Sequence, residues 1–226
     1  MKLPLIIGFT AALVHVLTGP DHLAAVTPLV LEKKSKSWKI GLGWGLGHVL
    51  GMLLIGLLFY FFKNQIPVEN ISKNSEKFVG FMLIGIGIWA LYRTQQSKKK
   101  LVYPHAHIQK NESYIHIHKT KGEHQHSDIK KHNAVLSFFI GIIHGFAGIS
   151  HFILMLPVLG YKSATDSIQY MIGFGLGIVS AMIIYALFID KISGSKHDYH
   201  SQKIIWLQYI GALFAFAIGI YWIILS

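Results

Sequence analysis

Two stretches of this sequence set imidazole and carboxylate groups into otherwise apolar surroundings. The first reads His15-Val-Leu-Thr-Gly-Pro-Asp-His22 and the second His144-Gly-Phe-Ala-Gly-Ile-Ser-His151. A further histidine closes the run Gly43-Trp-Gly-Leu-Gly-His48. Imidazoles with one carboxylate suit borderline divalent ions such as nickel, cobalt, zinc, copper or iron(II), whereas all-oxygen sets suit magnesium, calcium or manganese. The candidate metal ligands are therefore His15, Asp21, His22, His48, His144 and His151. A single histidine in such a setting is often only a helix–helix hydrogen bond. Four at related positions beside an aspartate point further, because ionisable groups at membrane depth are costly and usually mark pathways.

Spacing decides whether these groups can share one ion. On an unbroken helix His15 and His22 share a face but sit roughly 10 Å apart along the axis. That is too far for one ion bound through nitrogens at about 2 Å. Gly19-Pro20 lies between them, and proline both lacks an N–H and clashes with the preceding turn. A break there, with Thr18 or Gly19 as the cap of a second half-helix, brings the two histidines together. The second stretch lacks the proline but carries Gly145 and Gly148, which predict a similar bend. Bare backbone at such a break is tolerable in a membrane only around a cavity.

The elements carrying these groups are membrane spans. Only 14% of the 226 residues are charged and 52% are hydrophobic, well below the charge content of an ordinary soluble domain. The charges also cluster, leaving apolar runs long enough to cross a bilayer as helices. Six spans are expected, at about 3–31, 40–62, 75–92, 134–159, 168–189 and 204–225. The N-terminal run faintly resembles a signal peptide, but it carries His15 and Asp21–His22 and reads as the first span. The formal charge of +11 reflects orientation in the membrane rather than nucleic acid binding. Sixteen of the 21 basic residues fall in the loops after spans 1, 3 and 5. The positive-inside rule then puts both termini outside and the loop 93–133 in the cytoplasm of a cell that bears the protein in its inner or plasma membrane. Trp38, Tyr92, Trp206 and Trp222, near span ends, read as interfacial anchors.

An internal repeat organises the spans. Shifting the chain by 129 residues lays His15 on His144, Gly19 on Gly148, His22 on His151 and Pro28 on Pro157. A shift of 130 lays Gly43-Trp-Gly-Leu-Gly47 on Gly173-Phe-Gly-Leu-Gly177. Near 131 to 132 the Gly80 and Gly87 pattern meets Gly211 and Gly219. Each copy holds three spans, an odd number, so the second must enter the membrane inverted. Transporters often follow this plan, with the site near the midplane where the repeats meet. The expected fold class is thus an all-α polytopic membrane protein of two inverted three-helix repeats, with helices 1 and 4 broken. Its parts are 1–92, a His-rich loop at 93–133, and 134–226. The small-residue face of span 2 (Gly41, Gly43, Gly45, Gly47 and Gly51) is expected to bring that span against the broken helix.

The loop is too polar and irregular to pack as a domain and reads as largely disordered. It holds His105, His107, His116, His118, His124, His126 and His132, three pairs of them with His-x-His spacing. This pattern suits auxiliary metal capture, against the plainer alternative of a solvated or pH-responsive linker.

At His-Val-Leu-Thr-Gly-Pro-Asp-His-Leu-Ala-Ala-Val and Gly-Trp-Gly-Leu-Gly-His48 the chain resembles the nickel/cobalt transporter (NiCoT/NicO) superfamily, in particular its smaller urease-accessory, UreH-like members. That family carries a His…Asp-His element on an early helix and a Gly-His element on the next, which map here to His15, Asp21, His22 and His48. The resemblance implies carriage of nickel or cobalt, with zinc or iron(II) as lesser candidates, and no permanent cofactor. The His-to-Asp spacing is one residue longer than in the best-known nickel permeases, and their later acidic motifs are absent. The His-rich loop is similar to that of the family's effluxers, which tilts the direction of transport towards export. The six-helix inverted repeat also resembles the thiol-electron carriers of cytochrome biogenesis. Those need a Cys pair, and this chain has no cysteine at all.

The leading expectation is a secondary transporter of divalent transition metals whose partners are the bilayer and the ion, with room for a homo-oligomer and no role for nucleic acid. An anion permease of the sulfite-exporter type is a second reading, since half-helix N-termini and protonated His can hold an oxyanion. Asp21, and the absence of Lys or Arg from the middle of any span, argue against it. A membrane metal sensor or accessory protein that transports nothing is the third. No nucleophile–base arrangement and no nucleotide motif points to an enzyme.

Overall fold

Apolar runs of this length must satisfy their backbone internally, so they fold as helices. The computed structural model describes residues 3–32, 36–62, 68–99, 107–109, 112–114, 132–147, 158, 160–194 and 202–225. Within these the order is α1 (Leu3–Thr18), α2 (Pro20–Leu31), α3 (Ser37–Phe62), α4 (Val68–Lys99), β1 (His107–Gln109), β2 (Glu112–Tyr114), α5 (His132–Ala147), α6 (Ala164–Ser193) and α7 (Gln202–Leu225). Segments 37–58 of α3, 77–96 of α4, α6 and α7 are long and apolar enough to cross a membrane. The pair α1 and α2 makes a fifth if the bent pair is one span. Leu17, Phe61, Phe81, Ile184, Ile224 and many other large apolar side chains face outward, which fits a lipid rather than a water boundary.

Several expectations are refined. Helix α4 runs from Val68 to Lys99, past both ends of the expected span 75–92. The expected loop 93–133 is helical at both ends, in α4 to Lys99 and in α5 from His132, and holds an antiparallel strand pair with His107 opposite Tyr114 and Gln109 opposite Glu112; 100–106, 110–111 and 115–131 lie outside the described residues. Helix α5 has 16 residues, about 24 Å at 1.5 Å per residue, and 148–157 of the expected fourth span lie outside the described residues. Helix α6 ends at Ser193 and is capped by Gly194, whose φ of 86° and ψ of −175° fall in a region open essentially to glycine alone.

Glycine stripes set how the helices meet. On α3, Gly43, Gly47 and Gly51 recur every four residues and lie against the carbonyls of Ala134, Phe138 and Ile142 on α5. Gly41 and Gly45, on another face, meet Met182 and Val179 of α6. A Cβ at any of the five would collide with the backbone opposite. These glycines therefore bring α3 against α5 and α6 and not, as the sequence suggested, against the broken first helix. The reason is that the stripe has two faces, and each is matched by a backbone rather than by the kink.

The contacts pair off under the repeat offsets. Gly43 meets Ala134 and its counterpart Gly173 meets Leu5, the counterpart of Ala134. Gly47 meets Phe138, and Gly177 meets Phe9, in the same relation. Gly45 meets Val179 while Gly175 meets Val49. Between α4 and α7, Gly80 meets Gly219 while Gly87 meets Ala212. Ser137, the counterpart of Gly8, donates to the Ile40 carbonyl at 3.0 Å, and Gly8 itself abuts the carbonyl of Tyr170, the counterpart of Ile40.

Candidate metal centre

The site begins at the break. Helices α1 and α2 meet at 72°, with Gly19 as the extended N-cap (φ −89°, ψ 93°) and Pro20 in the first turn of α2. Proline at that position forfeits only an N–H that has no intrahelical partner anyway. Thr18 does not cap α2; its hydroxyl donates back to the Val14 carbonyl at 2.8 Å. A Cβ on Gly19 would stand 2.5 Å from His22 Nδ1 and 3.0 Å from Asp21 Oδ1. Glycine is thus required by the side chains folded over it, not by its dihedral angles.

The bend does what the spacing demanded. His15 Nε2 and His22 Nε2, seven residues apart in sequence, lie 3.0 Å apart. His22 Nδ1 donates to Asp21 Oδ1 at 2.9 Å. His144 Nε2, from α5, reaches the other oxygen, Asp21 Oδ2, at 3.0 Å. His48 comes from α3, with its ring centroid 5.1 Å from that of His22, 5.5 Å from His144 and 6.2 Å from His15. Asp21 is 6% exposed, His22 1%, and His48 and His144 0%; His15 is half-buried. In the first turn of α2, the Asp21 carboxylate also faces the positive end of the helix dipole.

Close helix approach holds this geometry. Gly145 of α5 sits on the His48 carbonyl and Gly141 on that of Trp44, so the backbones of α3 and α5 touch where His48 and His144 project. Gly145 was expected to bend its helix; instead it lies inside α5, which continues to Ala147. Its role is the missing side chain, not a kink. Gly148 and His151 lie outside the described residues, as do His105, His116, His118, His124 and His126; His107 lies on β1.

Two aromatic residues complete the walls. Trp44 stacks on His48 with centroids 4.7 Å apart and an interplanar angle of 11°, and lies 5.4 Å from His22 and 5.3 Å from His144. Phe174 stacks on His15 at 6.1 Å. Neither was singled out as a site residue from the sequence. The signal was present, since they occupy the same place in the repeated Gly-aromatic-Gly, but aromatic residues in spans are usually plain packing.

Further along α2, polar bonds tie it to four other helices. Glu32 accepts from Arg93 Nε at 2.6 Å and from Asn133 Nδ2 at 2.9 Å. Thr27 and Tyr185 share a hydroxyl–hydroxyl bond of 2.6 Å, and Gln208 donates to the Leu31 carbonyl at 3.0 Å. These fix α2 to α4, α5, α6 and α7.

Among the described residues two triads bring one donor atom each to within 4.8 Å of one another: His15, His22 and His48, and Asp21, His22 and His144. His22 belongs to both, with Nδ1 on Asp21 and Nε2 on His15. A buried, nitrogen-rich set with one carboxylate can hold a borderline divalent cation.

Residues 22–221 match the family model described as the cytochrome C biogenesis protein transmembrane region. The urease accessory protein UreH of Bacillus sp. (strain TB-90) is 30% identical over 216 residues, 93% of this chain and 87% of its own length. Two Arabidopsis thaliana proteins, Chloroplast protein FOR GROWTH AND FERTILITY 1 and 2, are each 29% identical over 94% and 91% of the chain respectively. The chain spans about half the length of these plant relatives, 56% and 53%. No solved structure matches. The chain belongs to the family of the cytochrome C biogenesis protein transmembrane region, and it shares that frame without a single cysteine.

Proposed function

We propose that this member of the cytochrome C biogenesis transmembrane family is a secondary transporter of divalent transition-metal ions, nickel or cobalt foremost. The observation that carries the reading is the junction of His15, Asp21, His22, His48 and His144 at a broken, buried helix. Charged and imidazole groups so placed need a purpose that offsets their desolvation, and a cation supplies it. The name of the urease accessory relative adds weight to nickel, because urease is a nickel enzyme. Thiol chemistry has no residue to run on here.

In this reading the chain has six spans arranged as two inverted three-helix repeats, with boundaries near 92 and 134. The exchanged glycine contacts support a pseudo-twofold, and an odd number of spans per repeat makes its axis lie in the membrane plane. Both termini are extracytoplasmic, the loop 93–133 is cytoplasmic and gathers metal, and transport leans to efflux. An oxyanion permease fits less well, because Asp21 occupies the α2 N-terminus where an anion would sit.

The test is flux. Full-length protein in liposomes should carry nickel or cobalt down a gradient, and His22→Ala should abolish that flux without loss of folded protein. Equal flux from wild type and His22→Ala would refute the reading, as would no flux of nickel, cobalt, zinc or iron(II). Sidedness of the reconstituted protein then assigns direction.

A further inference from the structure

We propose that Asp21 does not ligate the transported ion but fixes two imidazoles around it, and that the ion binds on the edge formed by His15, His22 and His48. This rests on the metal-transport reading and adds the ligand set and the selectivity that follows from it.

Asp21 is already engaged on both sides. Each of its oxygens takes a different imidazole, Oδ1 from His22 and Oδ2 from His144. An ionised carboxylate only accepts, so both nitrogens donate. With its proton on Nδ1, His22 turns a lone pair outward on Nε2. That nitrogen faces His15 Nε2 at 3.0 Å, with His48 as the third member of the triad. Two nitrogens bound to one ion at about 2.05 Å stand roughly 2.9–3.4 Å apart, for octahedral or tetrahedral angles. The His15–His22 pair already has that separation, and the ligand nitrogen of His48 lies within 4.8 Å of both, so a small inward shift of His48 completes the set.

Access separates the two triads. Asp21, His22 and His144 are all sealed, whereas His15 is half-buried. An ion shedding its water shell can reach the His15 edge, and reaching the other would require breaking both bonds to Asp21. A carboxylate that accepts the second N–H of a ligating histidine fixes the ring and raises its basicity. Here one carboxylate does so for His22 while tying in His144 from α5. Trp44, stacked on His48, holds the third imidazole.

Selectivity follows. Three neutral nitrogens, with the negative charge one shell out, favour nickel, cobalt and zinc and offer little to manganese or magnesium, which need oxygen donors. The carboxylate still offsets part of the ion's charge.

The experiment is X-ray absorption on full-length protein loaded with nickel or cobalt, alongside affinity measurements. Wild type should give three imidazole ligands and no protein carboxylate. Asp21→Asn, whose single carbonyl can accept from only one of the two rings, should weaken nickel binding about 10- to 100-fold and leave three imidazoles. His144→Gln should also leave three, and His48→Ala should leave two. A carboxylate ligand in the wild-type spectrum, or loss of an imidazole in His144→Gln, would overturn the proposal and leave transport intact. The wild-type spectrum decides this even if a variant does not fold. Absence of nickel, cobalt and zinc binding by the wild type would instead overturn the transport reading, and this proposal with it.

Discussion

Gly19→Ala is the smallest change that tests how the site is built. The added methyl would lie 2.5 Å from His22 Nδ1, 2.9 Å from its Cε1 and 3.0 Å from Asp21 Oδ1. Carbon contacts settle at about 3.5–4.0 Å, so the His22 ring must retreat by roughly 1 Å. Its bonds to Asp21 and His15 stand at 2.9 and 3.0 Å, and neither survives such a shift. Loss of a hydrogen bond to a charged group costs about 1.5–3 kcal/mol, which corresponds to a nickel affinity lower by about 10- to 100-fold, near the usual effect of a lost supporting contact. The backbone itself tolerates alanine, since φ is −89°. Nickel titration of purified protein should therefore show the loss, and the detergent melting temperature should fall by several degrees, at about 2–4 °C per kcal/mol. Wild-type affinity in Gly19→Ala would refute the claim that the break exists to seat His22.

Other substitutions separate packing from chemistry. Gly47→Val forces a side chain onto the Phe138 carbonyl and should destabilise the α3–α5 contact by about 1–3 kcal/mol, read as a lower melting temperature in detergent. Gly85→Ala, with nothing within 4 Å of its Cβ, should be neutral or stabilising by up to about 1 kcal/mol in the same melt. Trp44→Leu removes the stack on His48, worth about 0.5–1.5 kcal/mol, and should weaken nickel binding while leaving the Asp21 bonds in place, as a titration would register. Deleting residues 100–132 should leave one tight nickel site in the membrane part and slow flux only at low metal concentration; loss of that site on titration would locate binding in the loop instead.

The break in the first span is legible in the sequence because its causes are local. Gly19-Pro20 must interrupt a helix, and a half-helix must then begin at Pro20. The offset of 129 lays His15 on His144, and the structure brings both beside Asp21 and His22. Gly145 was misread because glycine in a membrane helix has two uses, bending and close approach, and only the facing residue decides between them. That residue is His48, about a hundred positions away. The direction of the α3 stripe was misread for the same reason. Trp44 and Phe174 were passed over since nothing in a sequence separates a ring that walls a site from one that fills a core. The tie of Glu32 to Arg93 and Asn133 is likewise a fact of tertiary packing, invisible to spacing.

The symmetry of the frame and the asymmetry of the chemistry belong together. Glycine contacts exchange under the repeat offsets, and under the proposed transport function such a frame suits two arrangements that differ in which repeat bends, as alternating access requires. By sequence His15 pairs with His144 and His22 with His151, but the remaining site groups do not exchange. His48 has Ile178 as its counterpart, Asp21 has Ser150, and Pro20 has Ile149. A fully symmetric set would offer the ion two equivalent seats, each holding it in one state and adding a barrier between them. Concentrating the carboxylate and the third imidazole in one repeat leaves a single seat beside His22, which both arrangements can share. On this view the glycines determine how the protein moves, and Asp21 with His48 determines that there is one ion for it to move.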